Sequence, residues 1–513
     1  MRALIRILLI SCLLIALVRA ACFLAYAWFA LGNPLDVYHL EAQMVHLAWR
    51  VQHDRVMYPD WRNDPHVMNV FGPLYFLLVG GIGRLIDADL EGLYRVGRLT
   101  SLGSALLASL IVGVASGTRE GKGAGFVAGS LTLGAAPLFG FGVMVRADLM
   151  ADTLGFAGFL LAVGRPSRWR YALGATLLVA AIFTKQTMGL YLIAAVLAAM
   201  RTDRKRWGLT LAAGSGAVTL AIIAAVTRTV EPLFARELFG AAETPILLSD
   251  WQRTLSRLWQ LGPELPILAL VGLVLWTVRR ERRDPSLVVL AGVVLVGAIV
   301  LAMKSGSDLN YFLGLRLVAA MAAGAVWGSV ASLIRESGPI RPRAAVLAIV
   351  GLVGLGVSLL PSLDHSYAQA RSAQSIHAYF SGAGRPVVAQ YRRIFELAED
   401  PEIRLLTDSG MVAAHQADRA AFVDPWLFRI LVETGKIEPT AILQRLESQE
   451  YDYIITTKDL YDTADPYDTY GFGLPPQLAE AARRNYGFAG VSAGLFLYLP
   501  RRSNEGSSTA NGS

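Results

Sequence analysis

Charge is scarce in this chain. Asp, Glu, Lys and Arg make up 17% of its 513 residues, while 54% are hydrophobic, a balance far from that of an ordinary soluble domain. Cysteine is scarcer still. Cys12 and Cys22 both stand in the first apolar run, too far apart along one helix to bond, which excludes a disulfide framework and a thiolate zinc site. No Walker-type phosphate loop, metalloprotease helix signature or Cys-x-x-Cys pair occurs, so an ATP-driven pump and a zinc protease have no support. Tandem repeats are absent too. What is present instead is a series of long apolar runs that read as transmembrane helices. Arg2 and Arg6 precede a run from Ile7 to Ala30 that is longer than a signal-peptide core, so it is read as an uncleaved first span. Cleavage after Ala20 or Ala21 is the alternative.

Topology follows from where the cations gather, because cytoplasmic loops carry the excess of Lys and Arg. Six groups stand out: Arg2 and Arg6; Arg119 and Lys122; Arg165, Arg168 and Arg170; Arg201, Arg204, Lys205 and Arg206; Arg279, Arg280, Arg282 and Arg283; and Arg335, Arg341 and Arg343. They hold 18 basic residues against five acids, whereas 33 to 93 has eight acids and four arginines. With the basic groups inside, spans are expected at roughly 7 to 31, 94 to 116, 124 to 144, 148 to 164, 171 to 185, 187 to 200, 207 to 228, 263 to 279, 285 to 303, 311 to 334 and 343 to 361. That is about eleven crossings, with the C-terminus outside. Phe71 to Ile86 is apolar yet short, opens on Gly-Pro and holds a Gly-Gly pair. It is expected as an interfacial or shallowly dipping helix within a first external loop at 33 to 93.

The external tips between these spans are polar. Asp36 and Glu41 follow the first span; Arg146 and Asp148 stand in one turn, with Asp152 beyond; Lys185 stands in another; and Lys304 to Phe312 holds Asn310 and Tyr311. Charge deep in hydrocarbon costs about 2.5–3.5 kcal/mol, so these groups are expected to line a polar cavity. Past Pro361 the composition becomes that of a soluble domain. Strands are expected near 404 to 407, 453 to 457 and 494 to 499, and a helix from Thr440 to Gln449, giving a small extracytoplasmic α/β domain over 362 to 500 behind a membrane core at 1 to 361. The tail from Arg501 is expected to be disordered.

Several pieces then carry a resemblance: Asp36-Val-Tyr-His-Leu-Glu41, Phe71-Gly-Pro73-Leu-Tyr75-Phe, Arg98-Leu-Thr-Ser, Arg146-Ala-Asp148-Leu-Met-Ala, Thr184-Lys185-Gln-Thr and Gly306-Ser-Asp-Leu-Asn310-Tyr311-Phe. In this order, over roughly 1 to 335, the chain resembles the GT-C membrane glycosyltransferases, the group of lipid A aminoarabinose transferases, protein O-mannosyltransferases and rhizobial lipopolysaccharide sugar transferases. The resemblance implies a GT-C-like core and a first-loop carboxylate, Asp36 or Glu41, acting beside a lipid-linked sugar. It also implies Asp148 as the second-loop acid and Lys185 as a phosphate contact. Acids stand at both 36 and 41, which leaves the catalytic slot open between them.

Such chemistry needs a base for the acceptor hydroxyl and cations for the departing phosphate. Asp36 or Glu41 is the expected catalytic base. Arg146, Asp148, Lys185, Lys304, Asn310, Tyr311 and Tyr75 are the expected donor-binding groups. A divalent cation could be shared by Asp36 and Asp148, though no ligand cluster demands one. The expected partners are a polyprenyl-phosphate sugar and an envelope glycan, lipid or protein acceptor in the inner (plasma) membrane, with no nucleic acid. Each residue also has a plainer role. Asp36 could cap a helix, Glu41 could stabilise a helix dipole, Arg146 and Asp148 could form a structural ion pair, and Lys185 could pair with Asp148. Lys304 could snorkel, Tyr38, Tyr75 and Trp61 could belong to an interfacial aromatic belt, and Arg19, deep in the first span, is expected to pair with another helix. A transporter or flippase, a polysaccharide polymerase or ligase, and a non-enzymatic scaffold are the competing functions.

Overall fold

The structure is a computed structural model that describes residues 2–36, 40–135, 138–164, 167–201, 204–240, 246–278, 285–304, 307–335, 342–462 and 473–501. Tyr38 and His39, the cations Arg165, Arg279, Arg280, Arg282, Arg283 and Arg341, Ser305 with Gly306, and the tail after Arg501 lie outside the described residues. The chain divides into two compact units. The first holds Met1–Asn33, Val70–Ile82 and Tyr94–His377, and the second holds Pro34–Asn69, Gly83–Leu93 and Ala378–Ser513.

Helices dominate the first unit. Among the described residues, four are long and apolar enough to cross a bilayer: Arg2–Leu31, Leu90–Glu120, Lys205–Thr229 and Leu309–Arg335. A fifth crossing is available if Leu248–Leu261 and Glu264–Thr277, bent by 86°, form one broken span. Shorter apolar helices include Leu74–Leu85, Gln186–Arg201 and Pro285–Leu301. The chain is a membrane protein. Leu74–Leu85, with 12 residues, reaches only about 18 Å and is too short for a hydrocarbon core of about 30 Å. The sequence pattern assigned no element between 228 and 263, where the structure holds Phe234–Gly240 and Leu248–Leu261. Leu248–Leu261 mixes Asp250, Arg253 and Arg257 with leucines and tryptophans, so it has no continuous apolar run to betray it.

Small residues let these helices approach. Lipid supplies no hydrophobic drive between spans, so association rests on close packing. Gly113 and Gly117 face Gly125 and Gly129 across Leu90–Glu120 and Lys122–Leu133, where a Cβ on Gly125 would stand 2.4 Å from the Gly113 carbonyl oxygen. The Ser109 hydroxyl donates to the Gly129 carbonyl at 2.8 Å across the same seam. Helix Leu313–Arg335 is buried almost throughout from Leu313 to Val326, a stretch rich in alanine. Arg19, expected to pair with another helix, donates to Glu264 at 2.7 Å with both side chains buried.

The second unit is built on a four-stranded sheet in the order Leu405–Thr407, Tyr453–Thr456, Leu495–Pro500, Tyr486–Ser492. The first two strands pair in parallel, Leu405 opposite Tyr453, and the others are antiparallel. Tyr486–Ser492 went unread in the sequence because two glycines interrupt it and a bulge lies between Phe488 and Gly490. Its hairpin turns through Ala493 and Gly494 with φ of 54° and 79°, the pair of positive values a tight hairpin needs. Segments 34–69 and 83–93, expected with the membrane core, pack in this unit. Ala42 and Leu90 join Ile394, Phe395, Val412 and Ile455 in its core. Arg50 donates to Asp418 at 2.6 Å, and the His66 amide donates to the Ala421 carbonyl at 2.8 Å. The helix expected over 343 to 361 runs through Pro342–Ser381, because from Ser362 to Phe380 no glycine or proline stops it.

Gly125→Ala is expected to lower stability by about 1–3 kcal/mol through overpacking against the facing backbone, seen as a reduced thermal midpoint in detergent. Gly214→Ala, where a Cβ meets nothing within 4 Å, is expected to leave it unchanged. Equal midpoints for the two variants would dismiss the glycine seam.

Candidate active site

Asp148 opens helix Asp148–Val163, where the amide dipoles favour a carboxylate. Its side chain is about 1% exposed. Arg146, in the turn just before, donates from Nε to Oδ2 at 2.8 Å. Lys185 donates from Nζ to Oδ1, and Asn310 donates from Nδ2 to the same oxygen at 3.0 Å. Both carboxylate oxygens are thus engaged by donors from three separate stretches of chain.

Each donor sits at a break in helical structure. Lys185 caps helix Arg168–Thr184 with an extended backbone, φ −153°, before the single 3₁₀ turn Gln186–Met188. Gln186 pins that turn by donating to the carbonyls of Val70 at 2.8 Å and Leu238 at 2.9 Å. Gly72 belongs to the same packing: a Cβ there would lie 2.0 Å from the Phe183 carbonyl oxygen, so only glycine lets the Phe71-Gly-Pro73 strip run against the end of that helix. Asn310 and Tyr311 stand on the 3₁₀ turn Leu309–Phe312, started by Asp308 capping the Leu309 amide at 2.7 Å. The Lys185 ammonium lies 4.8 Å from the centroid of the Tyr311 ring, and the Arg146 guanidinium 5.2 Å from that of Phe141, both within cation–π range.

One turn deeper on the same helix, Asp152 accepts from the Tyr191 hydroxyl at 2.9 Å. Gly314 makes room for that bond, since a Cβ there would lie 2.8 Å from the Tyr191 oxygen. Arg316 is 1% exposed, sits within electrostatic reach of Asp152 and Tyr191, and has no hydrogen-bond partner for any of its three nitrogens among the described residues. Lys304 in turn lies within electrostatic reach of Lys185. Arg146, Lys185, Lys304 and Arg316 against Asp148 and Asp152 leave the cluster with two positive charges in excess. An excess of this kind, set in apolar surroundings, suits a phosphate group.

Arg146, Asp148, Lys185, Asn310 and Tyr311 are therefore brought together as the sequence led one to expect, with Lys304 nearby. Tyr75 is fully buried, and its hydroxyl donates to the Gly97 carbonyl at 3.2 Å. Asp36 and Glu41 belong to the second unit. Asp36 is half-buried and Glu41 fully buried. Burial first, and then the Asp36 carboxylate, push the Tyr391 phenol above its ordinary range. In the first unit, Arg98 donates to the Asn33 carbonyl at 2.5 Å and so fixes the end of the first helix. Sequence reasoning missed Arg316 and Tyr191. An arginine three residues into an apolar helix was the available signal, the same one that marked Arg19. Among the described residues no three His, Cys, Asp or Glu side chains gather for a metal, and two cations fill the Asp148 carboxylate. This donor set does not fit a divalent ion.

No protein-family model matches the sequence, and no curated protein matches it either. In three dimensions the chain has counterparts. ArnT from Cupriavidus metallidurans bound to undecaprenyl phosphate matches with a TM-score of 0.56 at 14% identity, over 94% of this chain and 97% of that one. The Archaeoglobus fulgidus oligosaccharyltransferase in its apo form gives 0.59 at 13% identity, over 97% and 75%. AglB from the same organism, in complex with an inhibitory peptide and a dolichol-phosphate, gives 0.56 at 14%, over 94% and 74%. These proteins are members of the GT-C superfamily, and this chain has their fold.

Asp148→Asn is expected to destabilise by about 3–5 kcal/mol, because it leaves two buried cations without their counter-charge. Lys185→Met added to it is expected to restore part of the loss. Thermal unfolding of the two single variants and the pair closes the cycle; strict additivity would mean that the residues do not act as one cluster.

Proposed function

We propose that this chain is an integral-membrane glycosyltransferase that moves a sugar from a polyprenyl-phosphate donor to an envelope glycolipid, polysaccharide or protein. The carrying observation is the buried acid-and-cation cluster of excess positive charge, set within a GT-C fold. The structural counterparts solved with undecaprenyl phosphate and with a dolichol-phosphate support a donor of the same chemistry. Arg146 and Lys185, with Lys304 and Arg316 behind them, face the donor phosphate, while the Tyr311 ring holds Lys185 and Asn310 holds Asp148.

The reaction balances without a further reactant. The acceptor hydroxyl oxygen attacks the anomeric carbon as the bond from that carbon to the phosphate oxygen breaks. The electron pair stays on the phosphate, whose new charge the cations stabilise, and the acceptor proton passes to a carboxylate. Attack opposite the leaving phosphate inverts the anomeric centre. Asp36 is the better base: it is half-buried, whereas Glu41 is fully enclosed. In this reading the chain lies in the inner (plasma) membrane with its N-terminus and basic groups cytoplasmic. Its membrane core makes about eleven crossings, and the C-terminal α/β domain stands outside.

Purified protein in detergent, supplied with radiolabelled polyprenyl-phosphate sugars and an envelope acceptor extract, is expected to transfer label. Strict dependence on sealed vesicles would assign transport instead, and transfer of whole chains a polymerase or ligase. Asp36→Asn is expected to lower turnover about 10²–10⁴-fold at unchanged protein level, with Glu41→Gln milder. Full turnover in both variants and in the pair would remove the base assignment. Lys185→Ala is expected to weaken binding of the polyprenyl phosphate, and unchanged affinity would place the phosphate elsewhere.

A further inference from the structure

A groove lies toward the other end of the bundle from Asp148. The Ser101 hydroxyl donates to the carbonyls of Met144 at 2.5 Å and Arg146 at 3.3 Å, which places that turn of helix Leu90–Glu120 level with the Asp148 cluster. Arg119 comes 18 residues later, about 27 Å along the helix axis. Beside it a groove of about 860 Å³ is walled by Leu110, Val114, Leu160 and Leu161, and it ends on Arg119 and Arg170. From Leu110 to Arg119 it runs about 14 Å.

The groove pairs an aliphatic wall with a cationic mouth. Leu110 and Val114 stand largely exposed, as side chains do that face lipid. The Arg119 guanidinium folds back to donate to the Ala115 carbonyl at 3.1 Å, over the groove lining. Arg170 lies against Gly164, where a Cβ would come within 3.2 Å of its Nη2, and its buried Nε has no hydrogen-bond partner among the described residues. Apolar chain contact plus two guanidinia at the polar end is the complement of an acyl chain attached to an anionic head.

We propose that this groove holds one acyl chain of an anionic glycerophospholipid, with its phosphate on Arg119 and Arg170, separate from the site at Asp148. The proposal rests on the membrane reading of the chain and not on the transfer reaction. It assigns Arg119 and Arg170 a ligand that their positive charge alone, as topology markers, does not require.

Delipidated full-length protein in detergent is titrated with phosphatidylglycerol, with phosphatidylcholine of the same chains, and with a polyprenyl phosphate, and bound lipid per chain is read by native mass spectrometry. One phosphatidylglycerol per chain is expected, with phosphatidylcholine about 25-fold weaker, since each of the two basic residues near an anionic head contributes about fivefold. R119Q with R170Q is expected to weaken phosphatidylglycerol about 25-fold and phosphatidylcholine, whose phosphate is offset by its own choline cation, far less, while R119K with R170K keeps the preference. Equal binding of the two headgroups overturns the proposal, and the wild-type comparison alone decides this if the Gln pair fails to fold. Retention of phosphatidylglycerol by a folded Gln pair overturns it too. So does a polyprenyl phosphate held more tightly than phosphatidylglycerol and lost in the same pair, which would make the groove a carrier site.

Discussion

A carboxylate shut away from water among membrane helices dictates what must surround it. Burying an ion costs several kcal/mol even after relaxation, and only close, hydrogen-bonded counter-charges offset this. Asp148 meets the condition with Arg146, Lys185 and Asn310. The sequence separations of 2, 37 and 162 residues mean that one carboxylate ties together three parts of the bundle that the chain connects only distantly. Each donor lies in a turn or a 3₁₀ break instead of a helix interior, where its side chain would point along a fixed helical face. The breaks at Lys185 and Asn310 aim those side chains at one point.

The remainder of the first unit supplies the setting through close approach. Where Gly113 meets Gly125, the backbones are too near for any side chain, so packing density does the work that the hydrophobic effect does in water. The buried helix Leu313–Arg335 continues directly from the turn carrying Asn310 and Tyr311 and bears Arg316 within its first turn. Its small residues and its charged group act together: the alanines allow burial, and burial makes Arg316 depend on Asp152 and Tyr191. Arg19 and Glu264 show the simpler alternative, one cation and one acid joined between helices. The Asp148 cluster instead combines several cations with an excess of positive charge.

The fold was legible wherever a residue's environment followed from its neighbours in sequence. Long apolar runs marked Arg2–Leu31, Leu90–Glu120 and Lys205–Thr229, and a charge stranded among apolar residues marked Asp148, Lys185 and Arg19. Environment set by distant partners was not legible. Tyr75 shares the look of an interfacial aromatic, yet a carbonyl 22 residues away engages its hydroxyl. The acid-rich segment after the first helix looked like a loop of the membrane core because it is contiguous with that core. Its packing instead follows Ala42, Arg50 and His66, whose partners lie about 355 to 370 residues on, at Val412, Asp418 and Ala421. Leu248–Leu261 escaped because its apolar face is periodic rather than continuous. Arg316 carried the same mark as Arg19, and the rule that picked out one would have picked out the other.

The plain structural reading of Lys185 and the functional one do not compete. Long cationic side chains lose considerable rotamer freedom when fixed, up to about 2 kcal/mol each, and a binding site that fixes them only when ligand arrives loses that much affinity. Asp148 and the Tyr311 ring hold Lys185 beforehand, and Asp148 with Phe141 holds Arg146. Folding therefore bears the ordering, which is what preorganised electrostatic stabilisation requires. The same carboxylates also cancel part of the positive field. Under the proposed reaction the leaving polyprenyl phosphate gains charge as the glycosidic bond breaks. Four uncompensated cations would hold that product too firmly to release it, whereas an excess of two leaves attraction that grows with the developing charge without trapping it.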